Sequence, residues 1–265
     1  MATLAVLIAA TATNAKASSA ATIEGQTSGT AATYDNASGA FPVVNAILSS
    51  PGSGDGGYTY NNWVFLAPDS TGSLDIFYNS SVSSYAPTLG DGLSVTGTWS
   101  PFDGIPEVEN SSAQALSITK ESSGNSYLSP TVVTIPQINV TSETANGLIN
   151  TPYVGYYLQL NNVTIGATGN WPTHANETTT VSDGVNTMVL YFWASSYSTI
   201  GAMGGAAIPT GPVDMTGFVD FFASSSEAEF VPTSISPVPE PSALSLCGGI
   251  GSLLAWVGYR LRKKS

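Results

Sequence analysis

The side chains able to do chemistry in this chain are almost all carboxylates: 18 Asp and Glu stand beside six Lys and Arg, one His and one Cys. Two acidic pairs recur, Glu107-Val108-Glu109 and Glu227-Ala228-Glu229. Two positions apart on a strand, the members of each pair point to the same side. Paired acids can cleave a glycosidic bond when held about 5 to 9 Å apart across it. Same-face acids are more commonly a solvated surface, and that is the expectation here, with no catalytic residue assigned. The stretch Asp103-Gly-Ile-Pro-Glu107 offers hard oxygen ligands, so Asp103 and Glu107 are candidate calcium ligands, although EF-hand spacing is absent. No other cofactor is implied.

The remaining constellations are thin. His174 is the single histidine, in the loop Trp171-Pro-Thr-His-Ala-Asn176, and no G-x-S-x-G nucleophile elbow accompanies it. One histidine excludes a His-rich zinc site, and the one cysteine, Cys247, excludes an internal disulfide or a multi-thiolate metal site. No Gly-rich phosphate loop occurs. Between residues 18 and 239 a single lysine, Lys120, faces 17 carboxylates, a net charge of −16. Nucleic-acid affinity comes largely from Lys and Arg displacing counterions from phosphates, so nucleic acid is not an expected partner. Aromatic side chains are the other binding resource. Trp63, Trp171 and Trp193 are the candidate ligand-binding residues, on the condition that they face solvent.

Elements of strand type must position these groups. The 265 residues are 42% hydrophobic and 9% charged, enough for a sizeable core, and Val, Thr, Tyr, Phe and Trp favour strands. An internal repeat divides the chain. Asp69 to Tyr78 is echoed by Asp183 to Phe192 at an offset of 114, and Val95-Thr96-Gly97 by Met215-Thr216-Gly217 at 120. At the same offset of 120, Phe102 matches Phe222, and Glu107 and Glu109 match Glu227 and Glu229. The drift is assigned to the insertion Gly201 to Ala207 in the second copy. Strands are expected at 42–48, 62–67, 73–78, 92–100 and 107–118, then at 155–165, 178–182, 187–193, 213–222 and 228–235. Leu93, Val95, Gly97 and Trp99 alternate with Ser94, Thr96, Thr98 and Ser100, which assigns Trp99 to the core. The expected organisation is all-β, with domains at 22–122 and 131–235.

The order of a hairpin, a loop and a strand pair around V-T-G resembles the OB-fold, in particular the tandem OB-like modules of secreted bacterial nucleases. The resemblance implies two small barrels that bind oligonucleotides or oligosaccharides on one face; a two-sheet sandwich is the alternative architecture. Single-strand binders pair stacking aromatics with a basic groove. This chain has the aromatics without the groove, which leaves sugar binding or protein contact.

The two ends carry addresses. Leu4 to Ala10, followed by Ala15-Lys16-Ala17, has the form of a signal-peptide core and cleavage site over residues 1–17, without the usual positive charge at the start. Ser242 to Tyr259 is uncharged and about 27 Å long as a helix, enough to cross a membrane once. Arg260, Arg262, Lys263 and Lys264 follow it as a cytoplasmic stop. Val238-Pro239-Glu240-Pro241, the apolar segment and the basic end together resemble the PEP-CTERM sorting signal of Gram-negative, exopolysaccharide-producing bacteria. That resemblance covers residues 238–265. It implies processing by a membrane-embedded exosortase, a transient inner-membrane anchor, and delivery to the outer surface or extracellular matrix. The expected function is a non-enzymatic structural or binding role among envelope or biofilm exopolysaccharide components. An oligosaccharide-binding accessory module is the alternative and a secreted nuclease- or glycosidase-type hydrolase the third reading.

Overall fold

A computed structural model describes residues 19–34, 42–51, 60–67, 72–79, 85–171, 177–192, 205–222 and 227–239. The signal segment 1–17, Glu240, Pro241, the apolar segment 242–259, the basic end, His174, Trp193 and Cys247 lie outside the described residues. Among the described residues, no helix is long and apolar enough to cross a membrane.

The chain is mostly strand, in two sheets. In the first, β2 (Val44–Pro51), β3 (Tyr60–Leu66) and β4 (Asp75–Asn79) form an antiparallel meander. β4 then runs parallel to β6 (Glu107–Glu109), which pairs antiparallel with β5 (Gly92–Trp99). A bridge between Val43 and Gly92 brings the start of β5 back to β2. The second sheet repeats this path with β9 (Leu158–Ile165), β10 (Glu177–Ser182), β11 (Thr187–Phe192), β12 (Val213–Phe222) and β13 (Glu227–Pro237). Here β9 pairs with both β10 and β12, so the five strands close into a barrel. The strands expected from the sequence are present with shifted ends. The expected strand at 107–118 is instead two, β6 and β7 (Ser117–Ser122), separated by a loop. Sequence patterning missed β1 (Ala31–Tyr34) and β8 (Thr131–Val132), both too short to show a period, and the brief helices α1 (Ala20–Glu24) and α2 (Ile135–Ile138).

Alternation explains the cores. Val64, Leu66, Ile76, Tyr78, Val95, Trp99 and Val108 point into the first sheet's interior, and Trp99 is fully buried there. Leu158, Leu160, Leu190, Phe192, Val219, Phe221 and Phe230 fill the second. The repeated glycines mark close approaches. A Cβ on Gly97 would lie 2.7 Å from Val108 Cγ1, and one on Gly217 would collide with the Val231 carbonyl at the bulge between Thr216 and Gly217. The acidic pairs, however, are out of step with the sequence match. β6 meets β4 at Asp75↔Glu107, and β13 meets β11 at Val189↔Glu229. Since Asp75 and Val189 are the repeat equivalents, Glu107 corresponds to Glu229 and not to Glu227. The run from Gly217 to Glu229 is two residues longer than the run from Gly97 to Glu107, which causes the slip.

The two units pack through the remaining, outward faces. Phe65 of β3 stacks on Phe218 of β12 with ring centroids 4.4 Å apart, and Ile105 and Val231 complete this apolar contact. A two-residue turn locks it. Asp103 and Gly104 both have positive φ (45° and 77°), while Phe102 and Ile105 exchange backbone hydrogen bonds of 3.1 and 2.8 Å. Asp-Gly suits such a turn because both positions need φ > 0. The Asp103 carbonyl accepts from the Phe221 amide at 2.6 Å, and the Gly104 carbonyl from the Ile149 amide at 3.0 Å. A Cβ at Gly104 would strike Ile149 and lie 2.8 Å from Phe221 Cβ. We expect Gly104→Ala to lower unfolding free energy by about 1–3 kcal/mol in urea titration, through overpacking and a strained φ. An unchanged midpoint would show that this contact is loose.

Candidate functional site

The site grows from the outer face of β3, β4 and β6. With Val64, Leu66, Ile76 and Val108 committed to the interior, strand geometry sends Trp63, Phe65, Asp75, Phe77, Glu107 and Glu109 outward. Register then sets the neighbours: Trp63 opposes Phe77, Phe65 opposes Asp75, and Asp75 opposes Glu107. The Trp63 and Phe77 rings lie 5.0 Å apart at 44°. The second unit covers the Phe65 end of this face, and Trp63, partly buried, packs against the same contact. Beside it Trp63, Phe77, Phe102, Glu107 and Glu109 line a cleft of about 130 Å³. Phe102, delivered by the Asp103-Gly104 turn, stands 46% exposed at its rim.

Behind the cleft, carboxyls are buried with no cation beside them among the described residues. Asp75 is fully buried and neither of its carboxyl oxygens has a hydrogen-bond partner among the described residues. Burial drives its pKa well above the usual range, against a smaller opposing effect of its own backbone amide. Glu107 is 3% exposed, and its Oε2 likewise lacks a partner among the described residues. Its pKa is also well raised, first by burial and then by Asp75, Glu109 and Asp103, while the Trp63 indole works in the opposite direction. Across the contact, burial and the charges of Glu227 and Asp103 push Glu229 up to about 7. Burial also raises Asp103, and burial together with Glu229, Asp220 and Asp103 raises the Tyr191 phenol. Asp103 thus sits electrostatically between the two acidic sets. Burial of Glu107 and Glu229 departs from the solvated surface expected for the E-x-E pairs, while Glu109 is half-buried and Glu227 exposed.

The sequence-chosen residues separate accordingly. Trp63 lies in the cleft. Trp171 does not reach solvent: it is 2% exposed and packed on Phe192 at 4.4 Å, so it belongs to the second core and not to a ligand site. Asp103 and Glu107 come near each other, yet among the described residues no group of three or more His, Cys, Asp or Glu could hold a metal ion. Val238 donates its amide to the Pro212 carbonyl at 2.9 Å just past β13, and Pro239 is exposed beyond it. Sequence reasoning missed Phe77, Phe102 and Asp75. The signal for Phe77 and Asp75 was the β3–β4 alternation itself.

Lys120, the only Lys or Arg among the described residues, is engaged elsewhere. It contacts Asp91 at 2.7 Å, and the Tyr85 hydroxyl, Thr88 amide and Thr88 hydroxyl donate to the same buried carboxylate. Burial alone would raise Asp91, but Lys120, Tyr85 and Thr88 outweigh it and hold the group well below its usual range. Comparison with family profiles and with characterised proteins returns no match to the chain.

Opposite pKa shifts give opposite pH windows. The raised acids stabilise the fold fully below their unfolded value of about 4.3, and that contribution disappears as pH climbs through the folded values, up to about 7 for Glu229. The depressed Asp91 contributes above about pH 3.9 and loses its contribution as pH falls further. Stability should therefore peak in mildly acidic solution, and Glu229→Gln should flatten the decline between about pH 5 and 7. Denaturant melts at stepped pH test this; a decline unaltered in the variant would remove Glu229 as its source. Lys120→Met should cost about 1–3 kcal/mol at pH 7 in the same assay, because a buried acceptor loses its cation. No loss would show that Tyr85 and Thr88 suffice.

Proposed function

We propose that this is an exported surface or matrix protein whose tandem OB-like body binds saccharide, without enzymatic activity, at the cleft of Trp63, Phe77 and Phe102. The cleft carries this reading. Aromatic faces stack on the apolar faces of sugar rings, and carboxyl oxygens accept from sugar hydroxyls. An opening of about 130 Å³ suits a single ring of a longer chain crossing the surface. The strand path supports the OB-like reading: a meander whose third strand runs parallel to the fifth, with the first returning to the fourth. Binding saccharide is one of the known uses of such barrels.

A hydrolytic role is less favoured by the same geometry. Glu107 and Glu109 are neighbours on one side of one strand, whereas glycosidic cleavage uses carboxyls flanking the bond. The net charge of −16 on residues 18–239 disfavours a polyanion such as nucleic acid. For export, the support is the order of Pro-Glu-Pro, apolar segment and basic end. The emergence of Pro239 into solvent directly after β13 adds to it by leaving the approach accessible to a processing enzyme such as an exosortase.

Two experiments test the two halves. Phe102→Ala, chosen because Phe102 is exposed and its loss leaves the core intact, should weaken binding to an oligosaccharide array roughly tenfold, a loss of about 1.4 kcal/mol. Equal binding by the variant would remove the cleft from consideration. The mass of the mature protein from the native host should show loss of the residues behind Pro239 to Pro241. An intact basic end would instead make this a permanently anchored protein.

A further inference from the structure

We infer that the cleft selects a sugar unit carrying a free ammonium group, such as the glucosamine residue of a de-N-acetylated polymer. This rests on the saccharide reading above and narrows it. Three aromatic side chains around two carboxyls make a site for a cation as much as for a ring. Aromatic faces attract cations through their quadrupoles, and a carboxylate forms its stronger hydrogen bonds with charged donors. Neutral sugars supply hydroxyls, which satisfy an acceptor but leave the accumulated acidity unanswered.

Glu107 is the second, independent indication. Its Oε2 is buried, has no hydrogen-bond partner among the described residues, and belongs to a side chain that lines the cleft. A buried acceptor left unpaired is costly, and a donor arriving from the cleft would satisfy it. The groups that face Glu107 are Asp75 from β4, Glu109 from its own strand, Asp103 from the turn and the Trp63 indole from β3. None of them is a cation, and Lys120 is held by Asp91. An ammonium group therefore supplies the one charge type that the described residues around the cleft lack. The same acidity repels uronic-acid polymers, which separates this ligand class from the anionic exopolysaccharides.

Binding of that cation should displace the proton that burial keeps on Glu107. The ammonium stabilises the carboxylate, the carboxyl proton leaves to buffer, and no other group needs to change charge. Proton release on binding is a readout that simple stacking of a neutral sugar does not produce.

The test is calorimetric titration of the full-length protein in detergent with glucosamine hexamer, N-acetylglucosamine hexamer and choline, in two buffers of different ionisation enthalpy. We expect the amine hexamer to bind about tenfold or more tighter than its acetylated counterpart, with proton release. Glu107→Gln, which keeps the shape and neutrality of the protonated acid, should bring the preference close to one and abolish the release. Equal affinities, or tighter binding of the acetylated hexamer, would overturn the ammonium inference and leave the saccharide site standing. Failure of both hexamers to bind would overturn both. Choline binding as tightly as the amine hexamer would overturn the sugar component. A preference unchanged in Glu107→Gln would overturn the role given to Glu107; should that variant not fold, Glu109→Gln at the half-buried rim position reads the same preference.

Discussion

The structure depends on one constraint: the outer face of β3, β4 and β6 has to be covered. Strand alternation commits Val64, Leu66, Ile76 and Val108 to the first core. The intervening residues, Phe65, Asp75 and Glu107 among them, are thereby forced outward as an apolar and acidic mixture. Left in water, Phe65 would be an exposed aromatic. Placed against Phe218, Ile105 and Val231, it becomes the centre of the contact between the two units. The carboxyls flanking it are carried into that contact whether or not they find partners. Burial of acids is thus a consequence of register, and protonation is the inexpensive response to it.

The cleft lies on the same face beside the contact with the second unit, against which Trp63 also packs. Trp63 and Phe77 continue the cross-strand ladder beyond Phe65 and Asp75, and the Asp103-Gly104 turn adds Phe102 from the side. That turn serves both regions. Its backbone carbonyls hold the second unit through Phe221 and Ile149, while the residue before it forms the rim of the cleft. A change in how the units pack would therefore be felt at the aromatic site through a displacement of Phe102.

Much of the fold was legible because it rests on local pattern. The alternation through Leu93 to Trp99 placed Trp99 in the core, and the repeated V-T-G and M-T-G pieces marked equivalent strands with glycines at close approaches. Register between distant strands was not legible. The two residues that separate Glu107↔Glu229 from the sequence match lie where β12 and β13 lengthen, and no one-dimensional comparison sees them. Trp171 shows the same limit: its local sequence did not mark it as core, but the backbone folds back through hydrogen bonds with Gly205 and Ala206 and presses the indole onto Phe192. Glu107 and Glu229 depart from the expected solvated face for a related reason, since whether a strand face meets water depends on what the rest of the chain lays over it.

The central claim is that Glu107 is a buried acid with a raised pKa, joining the contact between units to the cleft. Carbon-detected NMR of the side-chain carboxyls, followed across a pH titration, tests it at the atom concerned. The account predicts that Glu107 titrates well above the ordinary glutamate value of about 4.3 and that its midpoint falls when Asp103 is replaced by Asn. A Glu107 carboxyl titrating near about 4.3 and indifferent to Asp103→Asn would place it in water and contradict the account.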